Sequence, residues 1–217
     1  AADWMFGIKI VSSSSVIIRN NAIETDKFIF DEEIRNKKRK ELGLKENDFI
    51  IGHVGRFNEQ KNHIQMLEIL NPILSKSDNI KLILIGTGEL EEQVKNKVKS
   101  MKINNKVIFL GPKKNVSEYY QVMDLFILPS IFEGLPIVGI EAQASGLKCI
   151  FSDNITKEVD ITGNSIFISI SDQEKWRKTI YAIKEKSYIR KNERSNIIKN
   201  GYDLKEEINK IEEIYLN

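Results

Sequence analysis

The amino-acid sequence predicts an α/β fold, a Rossmann-like parallel sheet flanked by helices. From residue 49 onward, short apolar runs alternate with segments in which apolar residues recur at helical spacing. Such alternation is typical of parallel strands joined by right-handed helical crossovers. The run "IKLILIG" (80–86) is apolar throughout, as expected of a strand that is covered on both faces. These two patterns together indicate one sheet between two layers of helices.

The elements follow one another in a regular order. Apolar runs predict strands at 49–55, 80–86, 106–111, 125–130, 148–153 and 165–170. Helical spacing of apolar residues predicts helices at 63–74, 90–101, 116–123, from Pro136 onward, 171–187 and 202–216. The segment 16–30 is predicted as a strand that leads into a turn. The last helix carries an apolar stripe of Ile208, Ile211, Ile214 and Tyr215.

The composition is that of a globular protein, with 41% hydrophobic and 29% charged residues. The 33 basic and 31 acidic side chains nearly balance, which gives no argument for a nucleic-acid partner. The basic run "RNKKRK" (35–40) follows three acids, and this order predicts a solvated helix face. Cys149 stands alone in an apolar run, and the sequence has neither a signal peptide nor a long apolar span. These features predict a cytoplasmic protein.

Residues 132–141 carry the most chemical information in the chain. Glu133 and Glu141 flank a turn marked by Gly134 and Pro136. Pro136 is predicted at the first helical position, where its fixed φ is suitable and its missing N–H is not needed. Glu133 then lies in the turn, Glu141 lies inside the helix, and free backbone N–H groups at the helix start form an anion site. This arrangement suits a ligand that carries both phosphate and hydroxyl groups.

A second polar segment, "GRFNEQKN" (55–62), follows the first predicted strand and carries Arg56 and Lys61. Two cations near a helix start suit a diphosphate, since Arg can bind bidentately and Lys acts as a point charge. Glycine-bearing turns follow four of the predicted strands, at Gly55, at Gly86 and Gly88, at Gly111 and at Gly134. In a parallel sheet such turns meet at one edge. Each feature alone also has an ordinary explanation, namely surface solvation for the cations and helix-dipole pairing for the carboxylates.

Several other kinds of site find no support in the sequence. "GTGELE" (86–91) has Glu91 where a dinucleotide-binding fingerprint needs its third Gly or Ala. His53 and His63 have no metal-ligand spacing around them, and no Asp-x-Asp pair is present. A Walker lysine loop and a Gly-x-Ser-x-Gly motif are also missing from the sequence.

Taken jointly, five blocks resemble the donor-binding half of GT-B glycosyltransferases of family 4, especially bacterial capsular and exopolysaccharide enzymes. The blocks are "HVGRFNEQKN", "LILIGTGEL", "VIFLG", "DLFILPSIFEGLPIVGIEAQASGL" and "SDNITKE". The resemblance runs from about residue 16 to at least residue 170, and the Glu133–Glu141 pair is its marker. It implies a Rossmann-like domain that forms one half of a GT-B fold.

The resemblance implies a role for each matching residue. Catalytic roles would fall to Arg56 and Lys61, which would neutralise the donor diphosphate, and to Glu133, which would hold the transferred sugar. Glu141 would bind the ribose diol. The other donor-binding residues would be Gly134, Leu135 and Pro136 at the sugar and phosphate, Gly55, Gly86 and Gly88 where the chain approaches the nucleotide, and Leu110 and Lys113 at the base. The donor would be a UDP-sugar or, secondarily, a GDP-sugar, transferred with retention and without a metal or other cofactor.

The resemblance also implies a longer enzyme. Residues 1–15 would be the end of an N-terminal acceptor domain, 16–200 the donor domain, and 201–217 a helix directed toward the N-terminal domain. Part of the apolar stripe on that helix is therefore expected to be exposed, or covered by a neighbouring molecule. A glycan or lipid-linked acceptor would bind through the N-terminal domain, with peripheral association at the inner face of the plasma membrane.

The implied activity is transfer of a hexose or N-acetylhexosamine in the synthesis of a surface polysaccharide, with this chain alone inactive in transfer. Two alternatives remain open from the sequence. One is a sugar-nucleotide epimerase of the same fold, which would usually need acid and base groups from both domains. The other is a stand-alone module that binds nucleotide sugars without catalysis.

Overall fold

The computed structural model describes residues 19–186 and 188–216. The predicted remnant at 1–15 and the start of the predicted strand at 16–18 lie outside these ranges. In the described part, six strands form one sheet in the order β3-β2-β1-β4-β5-β6, and each pair of neighbours is parallel. The predicted Rossmann-like α/β fold is therefore confirmed.

The observed strands are β1 Phe49–Val54, β2 Ile80–Ile85, β3 Val107–Gly111, β4 Leu125–Leu128, β5 Lys148–Ser152 and β6 Ile166–Ile168. The helices are α1 Glu32–Glu41, α2 His63–Lys76, α3 Glu91–Ser100, α4 Val116–Val122, α5 Ile137–Ala144, α6 Gln173–Glu185, α7 Arg194–Lys199 and α8 Leu204–Leu216. Each strand predicted after residue 49 is present, and α7 was not predicted. Of the predicted strand and turn at 16–30, the described residues from 19 onward show a single bridge between Ile23 and Asp203 and then a 3-10 helix at Thr25–Phe28, where the turn was expected.

Both faces of the sheet are buried, because alternate residues of each strand point to opposite sides. Ile51 and Leu82 face a layer formed by α2, α3 and α6, in which Trp176 is fully buried. Ile50 and Ile83 face a second layer formed by α4, α5, α7 and the segment 23–28. The continuous apolar character of the strands thus follows from their double cover.

The strand order reverses between β1 and β4, which pair side by side through Ile51 with Leu125 and Gly52 with Phe126. The connections from β1 and from β4 lead to opposite sides of this point, so a crevice opens outside the carboxyl ends of these strands. Residues 55–62 leave the end of β1, and residues 129–136 leave the end of β4. The two segments that the sequence marks as chemically interesting therefore flank one crevice.

The basic run at 35–40 lies on α1, as predicted, but the prediction of a solvated face is wrong for Arg35 and Arg39. Arg35 donates to the carbonyl oxygens of Gln121, Val122 and Met123. Arg39 is buried and donates to the carbonyl of Val122. The last carbonyls of a helix lack partners within it, so the C-terminal end of α4 attracts these guanidinium groups.

The apolar stripe on α8 is under-buried, as predicted. Ile208, Ile211 and Ile214 are 44%, 40% and 46% exposed. A cavity of about 430 Å³ lies where α8 meets the 3-10 turn at Thr25–Phe28, and Ile208 is part of its lining. None of the helices that the structure describes is long and apolar enough to cross a membrane.

Candidate functional site

The turns that follow β1 and β4 are joined by hydrogen bonds at the crevice. The Ile131 N–H donates to the carbonyl oxygen of Gln60 at 2.8 Å, and the Gln60 side chain donates to the Phe132 carbonyl at 3.0 Å. The Asn62 amide donates to the Pro129 carbonyl at 3.2 Å. Because the two turns brace each other, side chains that are far apart in sequence are held in one place.

Glu133 and Lys61 form an ion pair at the centre of these turns. The Lys61 Nζ lies 2.5 Å from Glu133 Oε1, and the two side chains are only 14% and 9% exposed. The Ser130 hydroxyl donates to the same carboxylate oxygen at 2.8 Å, and Gln60 Nε2 donates to the other oxygen at 3.2 Å. The backbone of Glu133 is fixed as well, by a bridge to Ile155. The carboxylate is thus preorganised and its charge is balanced by one lysine.

Ser130 and Gln60 were not found by sequence reasoning. Each has a weak signal: Ser130 is a polar residue just after the apolar strand β4, and Gln60 stands next to Lys61. The Gln60 side chain reaches Phe132 and Glu133, which are 72 and 73 residues later in the chain. The Ser130 contact with Glu133 depends on the local shape of their turn. Neither could be derived from spacing alone.

Arg56 lies on the same turn as Lys61 but does not contact the Lys61–Glu133 pair. Its side chain is 71% exposed, and its Nε lies 3.3 Å from the Glu89 carboxylate. An exposed pair of this kind is weak and easily exchanged. Arg56 is therefore free to reorient toward a ligand, whereas Lys61 is held in place by the protein.

Glu141 lies in α5, where its carboxylate is mostly buried. The Tyr120 hydroxyl donates to Glu141 Oε2 at 2.9 Å, and burial raises the pKa of Glu141 although this hydrogen bond opposes the rise. Glu141 lines a cavity of about 320 Å³, together with Ile137, the segment 114–117 and the segment 22–24. Tyr120 was not singled out in the sequence, because its contact with Glu141 joins two helices.

Two of the predicted nucleotide-contacting glycines are explained by the protein's own packing. A Cβ at Gly86 would lie 2.0 Å from the Gly55 carbonyl oxygen, and one at Gly88 would lie 2.4 Å from that of Phe57. The turns after β1 and β2 therefore approach too closely for any larger residue. A Cβ at Gly134 would have nothing within 4 Å, so this glycine faces open space where a ligand could approach its backbone. Gly55 packs beneath the side chains of Lys61 and His53.

The turn before α5 differs from the prediction at Pro136. Pro136 is the N-cap residue, with φ −74° and ψ 109°, and the helix begins at Ile137 rather than at Pro136. Pro136 has no N–H, so it cannot donate to a phosphate. Its carbonyl accepts from the Gly139 N–H at 2.9 Å. The turn's possible backbone donors between Glu133 and the cap are therefore Gly134 and Leu135.

Leu110 and Lys113, the residues expected at the base, lie outside the lining of the cavity beside Glu141. Leu110 is half-buried and packs on the α4–α5 side of the sheet. The Lys113 Nζ lies 5.6 Å from the centre of the Tyr119 ring. The neighbouring residues Lys114, Asn115 and Ser117 line the cavity instead.

His53 and His63 form a buried pair behind the crevice. Their ring centres are 4.7 Å apart, His53 Nδ1 lies 3.0 Å from the Ile127 carbonyl, and Phe57 stacks on His63. Burial lowers the pKa of both, that of His63 to about 4, so the two rings are neutral near pH 7. Within residues 19–186 and 188–216, no group of three His, Cys, Asp or Glu side chains is arranged as metal ligands.

Comparison with known proteins gives a consistent result. The family model described as "Glycosyl transferases group 1" matches residues 34–204. The chain is 33% identical to the putative glycosyltransferase EpsF of Bacillus subtilis over 83% of its own length. It is 28% identical to the UDP-Gal:alpha-D-GlcNAc-diphosphoundecaprenol alpha-1,3-galactosyltransferase of Escherichia coli over 95% of its length.

Solved structures show the same fold. The chain is similar to Anabaena HepE, solved in complex with UDP and glucose, with a TM-score of 0.77 and 17% sequence identity. This match covers 97% of the chain and 60% of HepE. The chain likewise covers 47% of EpsF and 55% of the Escherichia coli enzyme. It therefore spans about half the length of the curated relatives that it matches.

Proposed function

We propose that this chain, which belongs to the glycosyl transferases of group 1, is the donor-binding part of an enzyme that transfers a sugar from a nucleotide diphosphate. The observation that carries this proposal is the preorganised Lys61–Glu133 pair at the crevice, with Glu141 in the helix that follows. Lys61 would bind the diphosphate, Glu133 the sugar and Glu141 the ribose. A nucleotide sugar contains all three of these groups.

The proposed chemistry is electrostatic. As the bond from the sugar to the diphosphate breaks, negative charge grows on the leaving oxygen and positive charge grows at the sugar ring. Lys61, joined by Arg56 from its exposed position, would stabilise the diphosphate, and Glu133 would hold the sugar hydroxyls and stabilise the ring. Because Ser130 and Gln60 also hold Glu133, the carboxylate keeps its position when Lys61 uses its remaining N–H donors for the phosphate. We propose transfer with retention and without a metal ion, with Lys61 and Arg56 as the source of positive charge.

The ribose is proposed to lie in the cavity beside Glu141. Its volume of about 320 Å³ is at the lower end of what small-ligand sites occupy. A UDP-sugar is the foremost donor and a GDP-sugar the second. Support comes from the UDP bound to HepE and from the UDP-galactose donor named for the Escherichia coli relative.

The acceptor is proposed to bind a further domain, because the chain spans about half of its relatives' length. A glycan or lipid-linked acceptor, used in building a surface polysaccharide at the inner face of the plasma membrane, agrees with the lipid-linked sugar named for the Escherichia coli relative. The transferred group would be a hexose or N-acetylhexosamine. The chain alone would not transfer it, since one wall of the donor site cannot exclude water.

Calorimetric titration with UDP, GDP and their sugar conjugates tests the proposal. We expect Glu141→Ala to weaken the binding of free nucleotide by about 1.5–3 kcal/mol, the contribution of a charge-assisted hydrogen bond. Glu133→Ala should leave the affinity for free UDP unchanged and lower only the affinity for the sugar conjugates. The reason is that Lys61 is then fully available to the diphosphate. Asp78→Ala is the neutral control, because Asp78 is exposed and its only ion pair among the described residues, with Lys106, is 3.5 Å long.

Failure of UDP and GDP to bind the unmodified chain would reject the site. An equal loss of free UDP and UDP-sugar in Glu133→Ala would reject the division of roles between the two carboxylates. Conversion of a UDP-sugar to its epimer by the full-length protein, without acceptor, would favour the epimerase instead.

A further inference from the structure

We propose that Tyr120 is a positioning residue, whose hydroxyl holds the Glu141 carboxylate in place for the nucleoside. This inference rests on the proposed ribose-binding role of Glu141. The Tyr120 hydroxyl lies 2.9 Å from Glu141 Oε2 and 3.2 Å from the Val138 carbonyl oxygen. Tyr120 belongs to α4, whereas both of its partners belong to α5.

The Tyr120 ring alone does not explain why this residue is a tyrosine. The ring is fully buried and packs against Phe28 and Phe126, with ring centres 5.9 Å and 5.8 Å away. A phenylalanine would make the same aromatic contacts. A buried hydroxyl costs free energy unless it is hydrogen-bonded, and here the Glu141 carboxylate and the Val138 carbonyl are its two acceptors.

The hydroxyl has one proton, and of its two acceptors the carboxylate is the nearer and the stronger. This donation occupies Oε2. Among the described side chains, none donates to Oε1, so that oxygen is available to a hydroxyl group in the cavity that Glu141 lines. Tyr120 therefore fixes one carboxylate oxygen and leaves the other for the ribose diol.

The same contact influences ionisation. Burial favours the neutral acid and raises the pKa of Glu141, while donation from Tyr120 favours the carboxylate and opposes that rise. The other charged groups nearby are Lys114, Glu24 and Lys27, which line the cavity. Burial raises the pKa of the Cys149 thiol, so this group stays neutral. Removing the Tyr120 hydroxyl should thus raise the pKa of Glu141 further. Nucleotide binding needs the carboxylate. On acidification, the variant should therefore lose binding at a higher pH than the unmodified chain does.

Tyr120→Phe tests the proposal, with UDP affinity measured by calorimetry between about pH 5 and 8. We expect about a tenfold loss of affinity near neutral pH, the value of one hydrogen bond to a charged group. The acidic limb of the pH profile should move to higher pH. Tyr119→Phe is the matched control, because it removes a hydroxyl from the adjacent residue of α4 and should leave the profile unchanged.

In a Glu141→Gln background, Tyr120→Phe should cause no shift of the profile, because the titrating group is gone. An NMR titration of the Glu141 carboxyl carbon gives a readout that needs no nucleotide, and the variant should show the higher pKa. A uniform loss of affinity at every pH, or an unchanged carboxyl titration, would overturn the positioning role. If Glu141→Gln itself leaves UDP affinity unchanged while the carboxyl titration shifts as expected, the proposed function fails instead and Tyr120 merely supports a buried acid.

Discussion

At the scale of single residues, the Lys61–Glu133 pair is an ion pair that need not stabilise the fold. The pair is short and nearly buried, and both partners have lost most of their hydration. In such a setting desolvation offsets much of the attraction, so the pair need not stabilise the fold, whereas a lone buried charge is costly. The position of Lys61 is then best explained by the ligand it would meet.

This view predicts that Lys61→Met destabilises the chain by about 3 kcal/mol, the lower end for breaking a buried pair. The cost stays at that end because Ser130 and Gln60 still donate to Glu133. The double variant Lys61→Met/Glu133→Gln should regain most of this loss, since no charge is left unpaired. It should nevertheless fail to bind UDP. Urea unfolding and calorimetry measure the two effects.

A double variant no more stable than Lys61→Met would contradict this account, because the unpaired carboxylate would then not be the source of the cost. Retained UDP affinity in the double variant would contradict the role of Lys61 at the diphosphate.

The same residues show what sequence reasoning could reach. Lys61 and Glu133 were expected in turns at one sheet edge, where the structure brings them into contact, and Glu141 was expected inside the next helix, where it lies. Strand ends and turns can be located from apolar runs, whereas the roles of these residues stay predictions. The partners that hold the carboxylates, Ser130 and Tyr120, were missed. Their contacts depend on the packing of a turn or of two helices, which no local pattern encodes.

At the scale of elements, the end of α4 depends on arginines from distant parts of the chain. Arg35 and Arg39 come from α1, and Arg190 precedes α7 and donates to the carbonyls of Tyr120 and Met123. Asp124 faces this cluster with a carboxylate that lies 2.5 Å from Arg35. These contacts hold the helix that carries Tyr120.

We expect Asp124→Ala to destabilise the chain by about 3 kcal/mol, the lower end of the range for removing one partner of a buried pair. The carboxylate is 21% exposed, yet it also accepts from the Ile50 N–H at 2.7 Å, so β1 loses a partner as well. Thermal and urea unfolding measure the change. Asp78→Ala removes a fully exposed carboxylate and should leave stability unchanged, because Lys106 still donates to the carbonyl oxygens of residues 77 and 78. A similar loss in both variants would indicate that net charge, not the cluster, is responsible.

The basic run on α1 also marks a limit of sequence reasoning. A run of charges is usually solvated, and that reading ignores the unsatisfied carbonyls of a helix 80 to 90 residues later in the chain. Helix α7 was missed for a related reason, because six residues are too few to show a helical period. The central strands, by contrast, were predicted well because a strand that is buried on both faces is apolar at nearly every position.

At the scale of the whole molecule, α8 presents apolar surface that the described part of the chain does not fully cover. Ile208, Ile211 and Ile214 are 40–46% exposed, while Ile180 on α6 is fully buried. The chain also spans about half of its relatives' length. We therefore propose that a further domain of the enzyme, or a second molecule, covers this stripe.

Ile211→Ala should cost this chain less than about 1 kcal/mol, because much of the side chain already meets water. The matched change Ile180→Ala should cost about 2–5 kcal/mol through the cavity it leaves. Urea unfolding of the two variants compares them directly. If Ile211→Ala proves as costly as Ile180→Ala, and the cost falls on dilution, the stripe is already covered by self-association. If a longer form of the enzyme contains the covering domain, Ile211→Ala should destabilise that form more than it destabilises this chain, because only there is the side chain withdrawn from water.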